Sequence, residues 1–215
     1  ITGDRIRRDV KAGSEVEVTI VVDESRQVHT IAYIPVLDEE YEQIYRELKA
    51  IGNDRPTDLN KPSVEHILSN IPAGTKKVLD VGCGRGYFVK KLVEKGYDTY
   101  GCDVFPELII PGVTYVQGNI ENLPFADNEF DVITCSHTLE HVKDFEKSVS
   151  ELKRVAKNSV IITVPAQRYY YYTLDLHVRF FPYAAKLEQA MDMEKFILKK
   201  IWGDWVYIGY LTWYG

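Results

Sequence analysis

The sequence predicts an α/β protein whose main body is a doubly wound, mostly parallel seven-stranded sheet closed by a C-terminal antiparallel hairpin. Three observations carry this expectation. From Lys76 onward, short apolar runs alternate with stretches of helical periodicity, the pattern of a parallel sheet with helices on both faces. Between an apolar run at 77–81 and a helix expected over 86–95 lies Gly82-Cys83-Gly84-Arg85-Gly86. Glycine is required where backbone takes a positive φ or lets a ligand come close, so this loop is pressed against something. The chain then closes on two apolar segments, 196–202 and 205–213, around Gly203-Asp204, which read as a hairpin.

Each element follows from local pattern. Residues 14–22 and 27–34 alternate around Asp23-Glu24-Ser25-Arg26 and predict a β-hairpin, so 1–36 is read as an N-terminal extension. Asp38 as N-cap, acids at 39 and 40, and Tyr41, Ile44, Tyr45, Leu48 and Ile51 on one face predict a helix over 38–51. A second helix is expected over 63–69, making 37–74 a helical cover segment ahead of the sheet domain at 75–215. Further strands are expected at 99–103, 113–117, 130–135 and 159–164, with helices at 145–156 and 183–193.

Composition narrows the class. A hydrophobic fraction of 45% and a charged fraction of 27% are those of an ordinary globular protein. No apolar run approaches the roughly 20 residues of a membrane span, and no signal-peptide pattern opens the chain. A cytoplasmic protein without a membrane partner is expected. The net charge of −6 disfavours nucleic acid as a partner, because such binders carry a basic face. The three cysteines, Cys83, Cys102 and Cys135, form no CxxC pair, so zinc-ribbon and redox readings fail. The chain opens on Ile1 and stops at Gly215 without an end signal, which is consistent with a trimmed chain.

The glycine loop is not a phosphate loop. A G-x-G-x-x-G fingerprint would need its third glycine where Tyr87 stands, and no Walker sequence is present. The spacing is D-x-G-x-G-x-G, with Asp80 ahead of the first glycine. A carboxylate there repels pyrophosphate and suits a ligand carrying positive charge. Asp103 ends the expected second strand, where an acid can accept both hydrogen bonds of a ribose diol. After the third strand comes Gly118-Asn119-Ile120, then Pro124-Phe125-Ala126-Asp127-Asn128-Glu129-Phe130-Asp131. After the fourth comes Cys135-Ser136-His137-Thr138-Leu139-Glu140-His141.

Taken together, residues 77–165 resemble the class I S-adenosylmethionine-dependent methyltransferases, in the pattern of the type-11 methyltransferase domain. The resemblance implies S-adenosylmethionine as cofactor and S-adenosylhomocysteine as product. It assigns Asp80, Gly82, Cys83, Gly84 and Gly86 to the cofactor loop and Asp103 to the ribose. Val104 would then pack on the adenine. Asn119 stands where an acid usually bonds the adenine amino group, and its side-chain oxygen can accept the same bond. Ile120 would lie against the ring, and Ser136 near the methionine end. The helices of 37–74 would cover the cofactor and help to form the acceptor pocket, with Tyr41, Tyr45 and Arg55 as candidate lining.

For chemistry, the cofactor brings an activated methyl group, and an alcohol acceptor must also lose a proton. His141, His137 and His177 are the candidate catalytic bases. Glu140 completes an H-x-x-E-H run, rejected as a zinc-peptidase motif because it follows a strand inside a cofactor-binding pattern. A divalent ion on His137, Glu140 and His141, joined by His177, is a second reading, with zinc or iron favoured over magnesium. The expected acceptor is a small molecule or sugar, on oxygen ahead of nitrogen. A catalytically silent S-adenosylmethionine-binding regulator and an RNA-directed methyltransferase are the alternatives. Aromatic residues at 169–172 could line the rim, and Trp202, Trp205, Tyr207 and Trp213 could serve a homodimer contact or the core.

Overall fold

The computed structural model describes residues 17–22, 28–33, 57–104, 110–168 and 177–211. The chain divides into two compact units, Ile1–Asp54 and Arg55–Gly215. In the first, β1 (Glu17–Val22) and β2 (Val28–Tyr33) pair antiparallel, Glu17 opposite Tyr33 and Val22 opposite Val28. The helix expected over 38–51, with Tyr41 and Tyr45, lies outside the described residues, as do Arg55, 169–172 and Trp213.

The second unit opens with α1 (Lys61–Ser69), whose N-cap Asn60 accepts from the Ser63 N–H at 2.9 Å. Pro62 in its first turn, where no intrahelical N–H is needed, adds to the start signal. There follow β3 (Lys77–Val81), α2 (Tyr87–Glu94), β4 (Asp98–Asp103), β5 (Val113–Gln117) and β6 (Phe130–Ser136). The chain continues with α3 (Phe145–Val155), β7 (Ala156–Pro165), α4 (Ala184–Met191), β8 (Phe196–Ile201) and β9 (Asp204–Tyr210). The sheet order is β5-β4-β3-β6-β7-β9-β8. β3 to β7 run parallel, and β9 enters antiparallel between β7 and β8. The order turns outward in both directions from β3, so the crevice at the carboxyl ends of β3 and β6 is where such sheets bind ligands.

Strand alternation builds two apolar layers. Val160, Ile162 and Val164 of β7 join Tyr207, Leu152 of α3 and Leu187 of α4 on one side. Ile161 joins Val206, Ile208, Ile67 of α1 and Leu92 of α2 in the other.

Among the boundaries that differ from expectation, two do so for clear physical reasons. β7 begins at Ala156, directly after α3, because Ala156 is already extended and pairs with Phe130. The final turn falls on Trp202-Gly203 rather than 203–204. Asp204 is drawn into β9 because its carboxylate is needed inside: Oδ2 accepts from Asn60 Nδ2 at 2.7 Å and from Ser63 Oγ at 3.0 Å. Trp202 is left 78% exposed at φ +55°, whereas Tyr207 is fully buried and Trp205 donates its indole N–H to Phe181 O.

Candidate functional site

The loop between β3 and α2 holds Gly82, Gly84 and Gly86 at φ +74°, +48° and +78°. Gly82 has a second reason to be glycine. A Cβ there would stand 2.0 Å from Thr138 Oγ1, so the loop is pressed against the segment that follows β6. The Gly82 and Cys83 N–H groups donate to Cys102 O at the end of β4, and the Gly84 N–H donates to Asp103 Oδ2 at 2.8 Å. A Cβ at Gly84 would meet nothing within 4 Å, so the loop is open there. The sequence-expected ribose acid is thus tied to the glycine loop by one carboxylate oxygen. Cys83 is buried, and burial, reinforced by Asp80 and Asp103, pushes its thiol above the usual range, so it stays a thiol and not a nucleophile.

Asp80, 3% exposed, lies in β3 with Oδ1 accepting from Thr134 Oγ1 of β6 at 2.7 Å. Burial pushes its carboxyl up to about 7; the Thr134 bond opposes this and the Asp103 charge adds to it. Two buried carboxylates beside an open loop suit a ligand with positive charge, so the donor set fits a sulfonium- and ammonium-bearing cofactor better than a phosphate.

Val104 follows Asp103 and is 39% exposed. Asn119 is exposed, and its Oδ1 accepts from the Glu121 N–H at 2.9 Å, shaping the turn after β5. Ile120 is buried in the apolar layer with Leu123 and α3. Ser136 ends β6, with an enclosed Oγ that has no hydrogen-bond partner.

Past β6 the chain kinks at His137, whose φ is +50° and whose N–H donates to Thr163 O. Leu139–His141 then forms a single 3-10 turn. Glu140 is fully buried beneath it. His137 Nδ1 lies 3.4 Å from Glu140 Oε1, and His137 Nε2 lies 3.5 Å from Asp204 Oδ1. Burial works against charge on this ring, but the Asp204 and Glu140 carboxylates override it and raise it to about 10. His177 Nε2 is 4.0 Å from Glu140 Oε1, and the His141 and His177 rings meet edge to face at 4.9 Å between centroids. All three sequence-expected bases therefore converge on Glu140. The metal reading needs one change of membership: donor atoms of Glu140, His141 and His177 lie within 4.8 Å of one another, while His137 bridges to Asp204 instead.

Sequence reasoning missed Thr134, Asp204 and Gln167. Gln167 Oε1 holds His177 Nδ1, while Asp204 ties His137 to Asn60 and Ser63 at the start of α1. Asn60-Lys61-Pro62-Ser63 carried a helix-start signal that could have been used, but no local pattern pairs it with a residue 144 positions away.

Comparison with known proteins agrees with this geometry. Residues 79–164 match the family model described as a methyltransferase domain. The chain is 34% identical over 93 residues to a demethylmenaquinone methyltransferase of Corynebacterium glutamicum, covering 41% of this chain and 40% of that one. It is 32% identical over 110 residues to a ubiquinone biosynthesis O-methyltransferase of Methylococcus capsulatus, covering 46% of each. The chain thus spans less than half the length of the curated relatives it matches. A SAM-dependent methyltransferase of Thermotoga maritima superposes with a TM-score of 0.59 at 17% identity, over 83% of this chain and 96% of that one, and shares its fold. Among the described residues, no helix is long and apolar enough to cross a membrane.

Proposed function

Because residues 79–164 are a methyltransferase domain of the class I S-adenosylmethionine-dependent kind, we propose that the protein methylates a hydroxyl oxygen of a small molecule or sugar. The observation that carries the oxygen acceptor is the convergence of His137, His141 and His177 on Glu140, one strand away from the glycine loop. A neutral amine is nucleophilic enough to attack before it loses a proton, whereas a hydroxyl is a weak nucleophile until a base withdraws its proton. His141 and His177 are the groups suited to take it. His137, held between two carboxylates, is a charge partner that orients Glu140.

The bound cofactor supplies the activated methyl group; the protein supplies alignment. Asp103 and the Gly82–Gly86 loop hold the nucleoside end, and Ser136 with its neighbouring backbone takes the methionine end. Asp80 complements positive charge from beneath the loop. Val104 offers an exposed apolar surface for the adenine, and Asn119 an exposed side chain for its amino group. One relative is named a ubiquinone biosynthesis O-methyltransferase, which supports an oxygen acceptor on a small molecule.

The test is calorimetric titration with S-adenosylhomocysteine and, separately, NADH, on the native chain and on Asp103→Ala. S-adenosylhomocysteine should bind, NADH should not, and the substitution should weaken binding at least tenfold. A folded protein that ignores S-adenosylhomocysteine would refute the reading.

A further inference from the structure

Glu140 stands out among the buried groups. Its side chain is fully enclosed, yet neither Oε1 nor Oε2 accepts a hydrogen bond. A carboxylate gives up several strong donors on leaving water; the His137 ring, 3.4 Å from Oε1 and shared with Asp204, meets the charge, but Oε2 is left without a partner among the described residues.

The surroundings are built to hold a cation. Glu140 and His141 come from the 3-10 turn after β6, and His177 comes from a separate segment. The Val178 and Arg179 N–H groups both donate to the Glu140 carbonyl, at 2.9 and 3.1 Å, so the backbone itself fixes His177 beside Glu140. Gln167, just past β7, holds the ring from behind. Gln167 Oε1 lies against His177 Nδ1 and accepts from it in the tautomer protonated there. In that tautomer the lone pair is left on Nε2, the nitrogen that faces Glu140 Oε1 at 4.0 Å. A cation between that nitrogen and Oε1 would be bonded by both. A ligand histidine whose other nitrogen donates to an oxygen acceptor is the usual arrangement around protein-bound metals. His141 closes the set, its ring against that of His177.

We propose that Glu140, His141 and His177 form a binding site for a divalent transition metal, with Gln167 supporting His177 from behind. Two imidazoles and one carboxylate match zinc, and also iron(II) or cobalt(II), rather than magnesium or calcium, which favour all-oxygen shells. Three protein ligands leave a position for water or for an oxygen of the acceptor. An acceptor oxygen so coordinated would lose its proton to solvent more readily, and in that case His141 and His177 serve as ligands rather than as proton acceptors. That role rests on the methyl-transfer reading; the metal site does not.

Chelator-treated protein titrated with Co2+, followed by visible absorption, gives the direct readout, with Zn2+ added afterwards as competitor. One equivalent of Co2+ should bind with the ligand-field band of a nitrogen–oxygen site, and Zn2+ should displace it. His177→Ala and Glu140→Gln should each weaken Co2+ at least a hundredfold, and Gln167→Ala about tenfold. Circular dichroism and S-adenosylhomocysteine titration on each variant report folding and the cofactor site separately. If Glu140→Gln does not fold, His177→Ala and Gln167→Ala carry the test. Absence of saturable Co2+ binding by folded native protein overturns the proposal, as does unchanged binding by folded His177→Ala. Co2+ binding without S-adenosylhomocysteine binding would uphold the metal site and count against the methyl-transfer reading alone.

Discussion

Asp80 shows how a single side chain couples burial, pH and ligand charge. Its carboxyl ordinarily loses a proton near 3.8, and in the fold, burial holds the proton to about 7. The folded chain therefore binds more protons than the unfolded one between those values. The stability that this contributes is complete below about pH 4 and is lost as the pH rises through about 7. Asp80→Asn cannot ionise but can still accept from Thr134, so it should remove that slope. Urea midpoints of the two proteins from pH 4 to 8 should diverge, the native chain losing on the order of a few kcal/mol relative to the variant. Parallel midpoints across that range would disprove the buried, protonated Asp80. A cationic ligand works in the opposite direction, favouring the ionised form. S-adenosylmethionine should thus bind more tightly as the pH is raised through 7, and Asp80→Asn should flatten that dependence.

At the scale of elements, the segment Pro124 to Asp131 explains itself as architecture. Phe130 is buried edge-on against both Tyr100 and Phe125. Asp131 accepts from the Lys76 and Lys77 N–H groups and so fixes where β3 starts. Arg154, in the last turn of α3, donates to Leu123 O, Phe125 O, Glu151 and Asp127, holding the β5–β6 connection onto the helix. Arg154→Ala should cost about 1–2 kcal/mol, chiefly from the two carbonyls left unpaired. A urea midpoint unchanged from the native value would show that water serves those carbonyls equally well. The strands, helices and glycine loop were legible because their signals are local: alternation, 3.6-residue spacing, and glycines in positive-φ positions. The final turn was misplaced by one residue because what fixes it, Asp204 reaching Asn60 and Ser63, is not local.

For the molecule as a whole, the alternation of strand and helix was enough to anticipate the sheet, and the closing hairpin enough to anticipate its antiparallel edge. The candidate site was half legible. Residues clustered in sequence, such as 80–86 and 136–141, announced themselves. Gln167 and Asp204, which orient His177 and His137, did not, because each looks like an ordinary polar residue until the fold brings it inside. One feature of the β6–β7 crossover sets a limit on length. Val155 ends α3 and Ala156 begins β7, with no residue between them. An added residue there has no loop to absorb it, and the pairing with β6 is already shifted by one between Phe130 and Val132. It would move the whole of β7 by one position, exchanging Ile161 with its neighbours across the sheet and shifting Gln167 away from His177. One alanine inserted after Val155 should therefore abolish cooperative thermal unfolding, while one after Gly74, where a Cβ meets nothing within 4 Å, should leave it intact. Equal tolerance at both places would contradict this. In the descent of such chains, insertions and deletions should gather in the turns around the sheet and be purged from this junction, which behaves as a fixed ruler between helix and site.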